Sequence, residues 1–190
     1  EMTQRSVGCD GLLTMLTERV DETLLDLCST VRVVANMAVG YDNIDLPAAT
    51  ERGILITNTP GVLTETTADM AFALLLASAR RLNDGEQAVR DGSWGPWHPT
   101  WLLGQQVHGT TIGKGGPGRI GRAMALRASG FGMHVLYYGR QSQSDFPGKQ
   151  CSFEDLLARS DFVSVHVPLT SETEEMFGVR EFSLMQSHAV

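Results

Sequence analysis

The sequence has few cysteines, few basic residues and no long apolar run, and each shortage excludes a class of protein. Its three cysteines, at irregular spacing, fit neither a disulfide framework nor a zinc site, and they predict reduced thiols in a cytoplasmic setting. Lys and Arg number 15 against 22 Asp and Glu, so a net charge of -7 leaves no basic face for nucleic acid. The longest apolar stretch, residues 70–77, is too short to cross a bilayer, so no membrane association is expected.

What the sequence does contain is an alternation of short apolar strands and short helices. Apolar residues make up 42% of the 190 residues, which is enough for a globular core in one large domain or parts of two. Strands are expected at 11–16, 31–35, 54–57, 110–115, 133–138 and 161–167. Helices are expected at 21–28, 46–52, 120–129 and 153–158. This order predicts an α/β fold with parallel βαβ units.

A longer helix is expected from Thr67 to Leu82. Thr66 and Asp69 have the spacing of a capping box, and the anionic Asp69 suits the positive start of a helix. The helix is apolar on nearly every face over residues 70–77, which predicts burial either in a core or in an interface between domains or subunits.

A glycine-rich loop with G-x-G-x-x-G spacing, Gly116-Pro117-Gly118-Arg119-Ile120-Gly121, lies between a predicted strand and a predicted helix. In this motif the first glycine makes a tight turn and the second lets the backbone approach a pyrophosphate. The third glycine allows close packing of the helix, whose N-terminus faces the phosphates. The spacing alone is a weak signal, but the helix and strand that follow strengthen it. The loop therefore predicts a dinucleotide site.

The strand that leads into this loop is less regular than the motif requires. Central parallel strands are normally continuous apolar runs, whereas this one contains Lys114 and two extra glycines, and Pro117 removes a backbone N–H from the loop. Two interpretations stay open: the copy is degenerate, or the site tolerates an irregular strand.

The segment after the second strand of this unit decides the type of cofactor. An acidic residue there would hold the ribose hydroxyls of NAD, but Gly139-Arg140-Gln141-Ser142 contains none. Arg140 offers a planar charged fork for the 2′-phosphate of NADP, and Ser142 offers a further donor. A solvated surface Arg is the alternative. We predict NADP (NADPH) as the cofactor, with NAD as the second choice.

A loop over residues 91–104 holds Trp94, Trp97 and Trp101 among glycines and prolines. Tryptophans in such a loop commonly anchor it against another surface.

These motifs together resemble those of the D-2-hydroxyacid dehydrogenases, and among them the glyoxylate/hydroxypyruvate reductases. The resemblance covers most of the chain from about Asp10 onward, in the order found in the family. It rests on four segments: Val39 to Asp45, Asn58 to Asp69, Gly116 to Gly121, and Ser160 to Thr170. Each segment alone is a weak signal, and the four together are specific.

The resemblance implies two domains and a set of site residues. Residues 1–65 would be a partial, flavodoxin-like substrate-binding domain, and residues 66–190 a Rossmann-like, doubly wound NAD(P)-binding domain that is incomplete. The implied substrate-binding residues are Val39 and Gly40, whose amides hold the carboxylate, and Trp97 and Trp101, from a loop that reaches the partner's pocket in a homodimer. The implied cofactor-binding residues are Thr64, Gly116, Gly118, Arg119, Ile120, Gly121, Gly139, Arg140, Gln141, Ser142 and Pro168.

The reaction that the resemblance implies is hydride transfer from a nicotinamide to a small 2-keto acid such as glyoxylate or hydroxypyruvate. It needs an Arg, a carboxylate and a proton-donating His, which in the family lie downstream of the segment resembling Phe182 to Val190. We therefore expect no catalytic residue among the 190 residues and no turnover by them alone, and we expect His166 to be structural or adjacent to the cofactor. Two alternatives stay open, a non-catalytic nucleotide-binding relative of corepressor type and an inactive degenerate product, although Arg140 and the tryptophan loop favour the reductase.

Overall fold

A computed structural model describes residues 6–190, which divide into two compact units. The first unit holds the described residues up to Leu63 together with Pro168–Ser171, and the second holds Thr64–Val167 and Glu172–Val190. The assignment of the first unit to substrate and of the second to cofactor stays a prediction.

The first unit is built on a three-stranded parallel sheet in the order β1-β2-β3. Its strands are β1 (Gly11–Thr14), β2 (Val33–Asn36) and β3 (Leu55–Thr57), and its helices are α1 (Glu22–Leu27) and α2 (Leu46–Glu51). Carboxylates cap both helices, since Asp21 accepts from the Leu24 N–H and Asp45 from the Ala48 N–H. The predicted strands and helices of this part are confirmed, with β1 ending before the exposed Met15.

The second unit is built on a four-stranded parallel sheet in the order β6-β5-β4-β7. The strands are β4 (Thr111–Gly115), β5 (His134–Tyr138), β6 (Lys149–Gln150) and β7 (Phe162–Val165). The connecting helices are α5 (Arg119–Gly130) and α6 (Phe153–Arg159), and α7 (Val179–Leu184) lies near the end of the chain. Parallel strands joined by helices, with the first strand in the centre, form the doubly wound arrangement. The predicted α/β fold is confirmed.

The helix predicted over residues 67–82 forms, and a second helix that the sequence did not predict follows it. The chain forms α3 (Thr64–Ala79) and α4 (Leu82–Arg90), and Arg81 separates them with a left-handed φ of 54°. The predicted capping box is therefore wrong, because Thr66 lies inside α3. The Asp69 carboxylate instead accepts from the Arg127 guanidinium of α5, with an Nε–Oδ1 distance of 2.7 Å. This ion pair joins α3 to the helix that follows the glycine loop.

Among residues 6–190, one face of α3 is buried and the opposite face is exposed. Ala68, Phe72, Leu75 and Ala79 are buried, whereas Met70 and Leu74 are about 60% exposed. The burial predicted for the whole apolar stretch is thus incomplete in a single chain.

The tryptophan loop has no helix or strand between residues 91 and 104, as predicted. The rings of Trp94 and Trp101 pack edge to face with centroids 4.6 Å apart, while Trp97 is 86% exposed. No helix within residues 6–190 has the length and apolar character to cross a bilayer. Within residues 6–190, Cys9, Cys28 and Cys151 form no disulfide.

Candidate functional site

The glycine loop connects the carboxyl end of β4 to the start of α5, and two of its glycines are sterically required. Gly116 has a φ of +90°, and a Cβ there would lie 2.5 Å from the carbonyl oxygen of His166. A Cβ at Gly121 would overlap the carbonyl oxygen of Gly116. Both positions therefore exclude every residue with a side chain, which is what the motif predicted.

Gly118 differs from these two because its missing Cβ faces open space. No atom lies within 4 Å of that Cβ position, and Gly118 and Arg119 are exposed. Gly118 is the N-cap of α5, no side chain caps the helix, and its first turn has no acidic residue. The first-turn N–H groups thus offer partial positive charge beside an open space. This arrangement fits the pyrophosphate of a dinucleotide.

The strand β4 is regular despite its unusual sequence. It pairs with β5 on one side and with β7 on the other over most of its length. Gly113 allows α6 to pack against the strand, because a Cβ there would overlap the Ser160 hydroxyl and lie 2.5 Å from the Leu156 side chain. The irregular composition is therefore accommodated, and one of the extra glycines has a packing role.

Lys114 is the unexpected feature of this strand. Its side chain is fully buried, and its ammonium Nζ has no hydrogen-bond partner among the described residues. In the sheet Lys114 lies opposite Tyr137 of β5 and Ser164 of β7. Burial lowers the pKa of Lys114 from 10.5 to about 7, because the charged form is poorly solvated.

His166 lies directly beside the glycine loop, and its expected role as a structural or cofactor-adjacent residue stays a prediction. Its backbone N–H donates to the Gly115 carbonyl at 2.7 Å, and its Nε2 lies 2.8 Å from the Ser164 hydroxyl. Burial, and then the charge of Lys114, lower the pKa of His166 from 6.5 to about 4. The imidazole is therefore neutral at physiological pH.

The segment predicted to select the cofactor lies against the glycine loop. A Cβ at Gly139 would lie 2.6 Å from the Pro117 ring, so the two segments are in close contact. Arg140 is exposed, and its Nη1 lies 3.6 Å from the carboxylate of Glu172. Sequence reasoning missed Glu172, because it is distant in the chain and lies in no motif. Gln141 and Ser142 are exposed beside Arg140.

In the first unit, the turn at Val39 and Gly40 follows β2 and is held by two asparagine side chains. The Asn58 amide donates to the Val39 carbonyl and the Asn36 amide to the Gly40 carbonyl, both at 2.9 Å. The N–H groups of Val39 and Gly40 have no acceptor within residues 6–190. Asn36 is buried and also accepts from the Thr14 hydroxyl. Its role in shaping the turn was not predicted, since a lone Asn at a strand end gives no sequence signal.

The remaining predicted site residues are spread over both units. Thr64 is the first residue of α3 and is half-buried, Pro168 is exposed and belongs to the first unit, and Trp97 and Trp101 lie in the tryptophan loop of the second unit. Their roles stay predictions. Within residues 6–190, no group of three or more His, Cys, Asp or Glu side chains could hold a metal ion.

Known proteins match this chain over nearly its whole length. Residues 72–190 match the family described as D-isomer specific 2-hydroxyacid dehydrogenase, NAD binding domain. A glyoxylate reductase of Korarchaeum cryptofilum is 50% identical over 192 residues, which cover 98% of this chain and 58% of that protein. The solved structure of the TT0316 protein from Thermus thermophilus has a TM-score of 0.93 and 45% identity, over 98% of this chain and 60% of the other.

A third relative shows the same fold with ligands bound. The D-lactate dehydrogenase from Aquifex aeolicus, solved with NAD and lactic acid, has a TM-score of 0.90 and 30% identity, over 97% of this chain and 56% of the other. The chain thus spans less than two thirds of the length of these relatives. The matched domain is one that takes a nicotinamide dinucleotide, in agreement with the glycine loop. The chain belongs to the D-isomer specific 2-hydroxyacid dehydrogenase family.

Proposed function

We propose that the protein reduces small 2-keto acids, such as glyoxylate or hydroxypyruvate, to the 2-hydroxy acids, and that it prefers NADPH. Relatives that are glyoxylate reductases at about half identity support the substrate class. The bound nicotinamide supplies the hydride. The residues of this chain bind and orient the two reactants, and we propose that the Arg, carboxylate and His of the chemical step are not among them. Three cysteines that form no disulfide within residues 6–190 support a reducing, cytoplasmic setting.

The main observation that supports a preference for NADPH is the position of Arg140. Close contact between Gly139 and Pro117 fixes the start of this segment beside the glycine loop, and the guanidinium is 85% exposed. Because no acid lies between Gly139 and Ser142, nothing in the segment would repel a 2′-phosphate. The Glu172 carboxylate contacts Arg140 only loosely, at 3.6 Å, and a 2′-phosphate with more charge would displace it.

The turn at Val39 and Gly40 supports binding of the substrate carboxylate. Its carbonyls are engaged by asparagine side chains, so its unpaired N–H groups can serve an anion. A carboxylate held by backbone amides is recognised by charge and shape without a dedicated basic residue. We propose that this turn binds the carboxylate of the keto acid.

We further propose that the full protein is a homodimer. Met70 and Leu74 of α3 leave an exposed apolar face, and the Trp97 side chain is exposed at the tip of its loop. Large exposed aromatic and apolar groups of this kind typically mark subunit interfaces. In the proposed dimer, Trp97 and Trp101 line the substrate pocket of the partner.

Calorimetric titration with NADPH and with NADH tests the cofactor assignment. We expect NADPH to bind at least tenfold more tightly, because a charge-assisted pair with a phosphate contributes about 1.5–3 kcal/mol. Arg140→Ala should remove most of this difference and leave the affinity for NADH nearly unchanged. Arg90→Ala is the matched control, since Arg90 is an exposed arginine of the same unit that pairs with a carboxylate on α4.

Equal affinity of the unmutated chain for both nucleotides would overturn the NADPH assignment and favour NAD. An absence of binding to either nucleotide would overturn dinucleotide binding itself and favour the inactive product. Tight binding of NADH by a full-length protein that turns over no keto acid would favour the corepressor-like relative.

A further inference from the structure

Lys114 is an ionisable group buried in β4, two residues before the glycine loop, and its Nζ has no hydrogen-bond partner among the described residues. Side chains alternate along a strand, so Lys114 points to the same face of β4 as Ile112 and to the opposite face from Gly113. Ile112 packs in the core with Met124 and Ala125 of α5, whereas Gly113 meets α6. The ammonium is therefore enclosed between the sheet and α5, the helix that starts at the glycine loop.

The Lys114 ammonium lies toward the loop end of its strand. Lys114 precedes Gly116 by two residues, and its charge lowers the pKa of His166, whose backbone contacts Gly115 and Gly116. A positive charge at this end of β4 lies beneath the first turn of α5, where the pyrophosphate of a dinucleotide binds.

The carboxylates of the surrounding elements do not neutralise Lys114. Glu65 and Asp69 of α3 pair with Arg127 of α5. Asp161 accepts from the Thr111 N–H and contacts His188, at the opposite end of β4. The other titratable groups on elements packed against β4 belong to α5, β5, the segment after β7, and α6 on the other face of the sheet. They are Arg119 and Arg122 of α5, His134, Tyr137 and Tyr138 of β5, His166 after β7, and Glu154, Asp155 and Arg159 of α6.

We propose that Lys114 is a further binding determinant for the dinucleotide: its buried ammonium stabilises the pyrophosphate at the glycine loop, so that nucleotide binding is coupled to uptake of a proton by this lysine. The inference rests on the dinucleotide binding of the proposed function. Lys114 acts on the pyrophosphate through the electrostatic field of its ammonium and not by direct contact, because its side chain is fully buried. Such a field is strong there, because little water screens it.

The coupling follows from the thermodynamic linkage between protonation of Lys114 and binding of the nucleotide. In the free protein Lys114 is about half protonated at pH 7, and a bound anion favours the charged form. A tenfold gain in affinity from the protonated lysine corresponds to a rise of about one unit in its pKa. The affinity should then fall about tenfold between pH 6 and pH 9, and binding at pH 7.5 should take up about half a proton.

The test is calorimetric titration with ADP-ribose and NADH, which carry the pyrophosphate but lack a 2′-phosphate that would itself titrate. Titrations in two buffers of different ionisation enthalpy give the number of protons taken up. We expect uptake by the unmutated protein at pH 7.5, and none by Lys114→Met, whose affinity should be lower at pH 6 and independent of pH. Lys149→Met, at the other lysine of the chain, is the control and should keep the uptake.

The outcomes separate this inference from the proposed function. Binding without proton uptake by the unmutated protein overturns the role of Lys114 and leaves dinucleotide binding intact; this measurement needs no variant to fold. Uptake that persists in Lys114→Met but disappears in His166→Gln assigns the proton to the histidine and also overturns the role. An absence of nucleotide binding overturns both proposals.

Discussion

The burial of Lys114 predicts an unusual dependence of stability on pH. Its pKa is about 7 in the folded chain and 10.5 ordinarily, so between these values the unfolded chain holds a proton that the folded chain lacks. Stability therefore rises as pH increases from 7 to 10.5 and levels off below 7, where both states are protonated. Over the whole interval the lysine contributes a change of about 5 kcal/mol in the free energy of unfolding.

Replacing the lysine by methionine keeps an unbranched side chain and removes the charge. We expect Lys114→Met to be more stable than the unmutated chain by about 4 kcal/mol at pH 7 and by only about 1 kcal/mol at pH 10. All other titrating groups are shared by the two proteins, so their contributions cancel in the difference.

Urea unfolding followed by tryptophan fluorescence measures this difference, because all three tryptophans lie in the second unit with Lys114. Lys149→Met, on the exposed end of β6, should change the stability by less than about 0.5 kcal/mol at either pH. A difference between Lys114→Met and the unmutated chain that is the same at pH 7 and pH 10 would refute the burial of an unpaired ammonium.

Three further predictions concern the glycine loop, His166 and turnover. Gly121→Ala should destabilise the second unit by about 2 kcal/mol or more in urea unfolding, since its Cβ would overlap the Gly116 carbonyl. Gly118→Ala, facing open space, should leave stability unchanged yet weaken NADPH binding; the reverse pattern would contradict the assigned geometry. The pKa of His166 is lowered to about 4, so its contribution to stability should be lost as pH falls from 6.5 to 4, and His166→Gln should lack this loss. The same fall in stability over this pH range in His166→Gln would contradict the prediction. Residues 1–190 alone should show no NADPH-dependent reduction of glyoxylate, and any turnover that scales with protein concentration would disprove this.

Local sequence signals were sufficient to predict most of the fold. Asp21 and Asp45 cap their helices as their types suggest, and apolar runs became parallel strands in the expected order. The errors arose where tertiary contacts determine where a helix begins and which side chains pair. Thr66 and Asp69 have capping-box spacing, but α3 begins earlier, and Asp69 pairs with Arg127, which is distant in the chain.

In the candidate site too, features set by nearby residues were predictable, and features set by residues distant in the chain were not. Gly116, Gly118 and Gly121 are identified by spacing, because their roles depend on backbone geometry within one loop. Asn36, Glu172 and the surroundings of Lys114 could not be predicted, since each depends on which distant segments the fold brings alongside. A single sequence contains the residues of such contacts but not their pairing.

The most direct test of the account is a crystal structure of the protein with NADPH bound. We predict that the pyrophosphate lies at the start of α5 beside Gly118, and that the 2′-phosphate lies within hydrogen-bonding distance of the Arg140 guanidinium, in place of Glu172. NADPH bound away from the glycine loop, or with its 2′-phosphate in solvent while Arg140 stays paired with Glu172, would contradict the account.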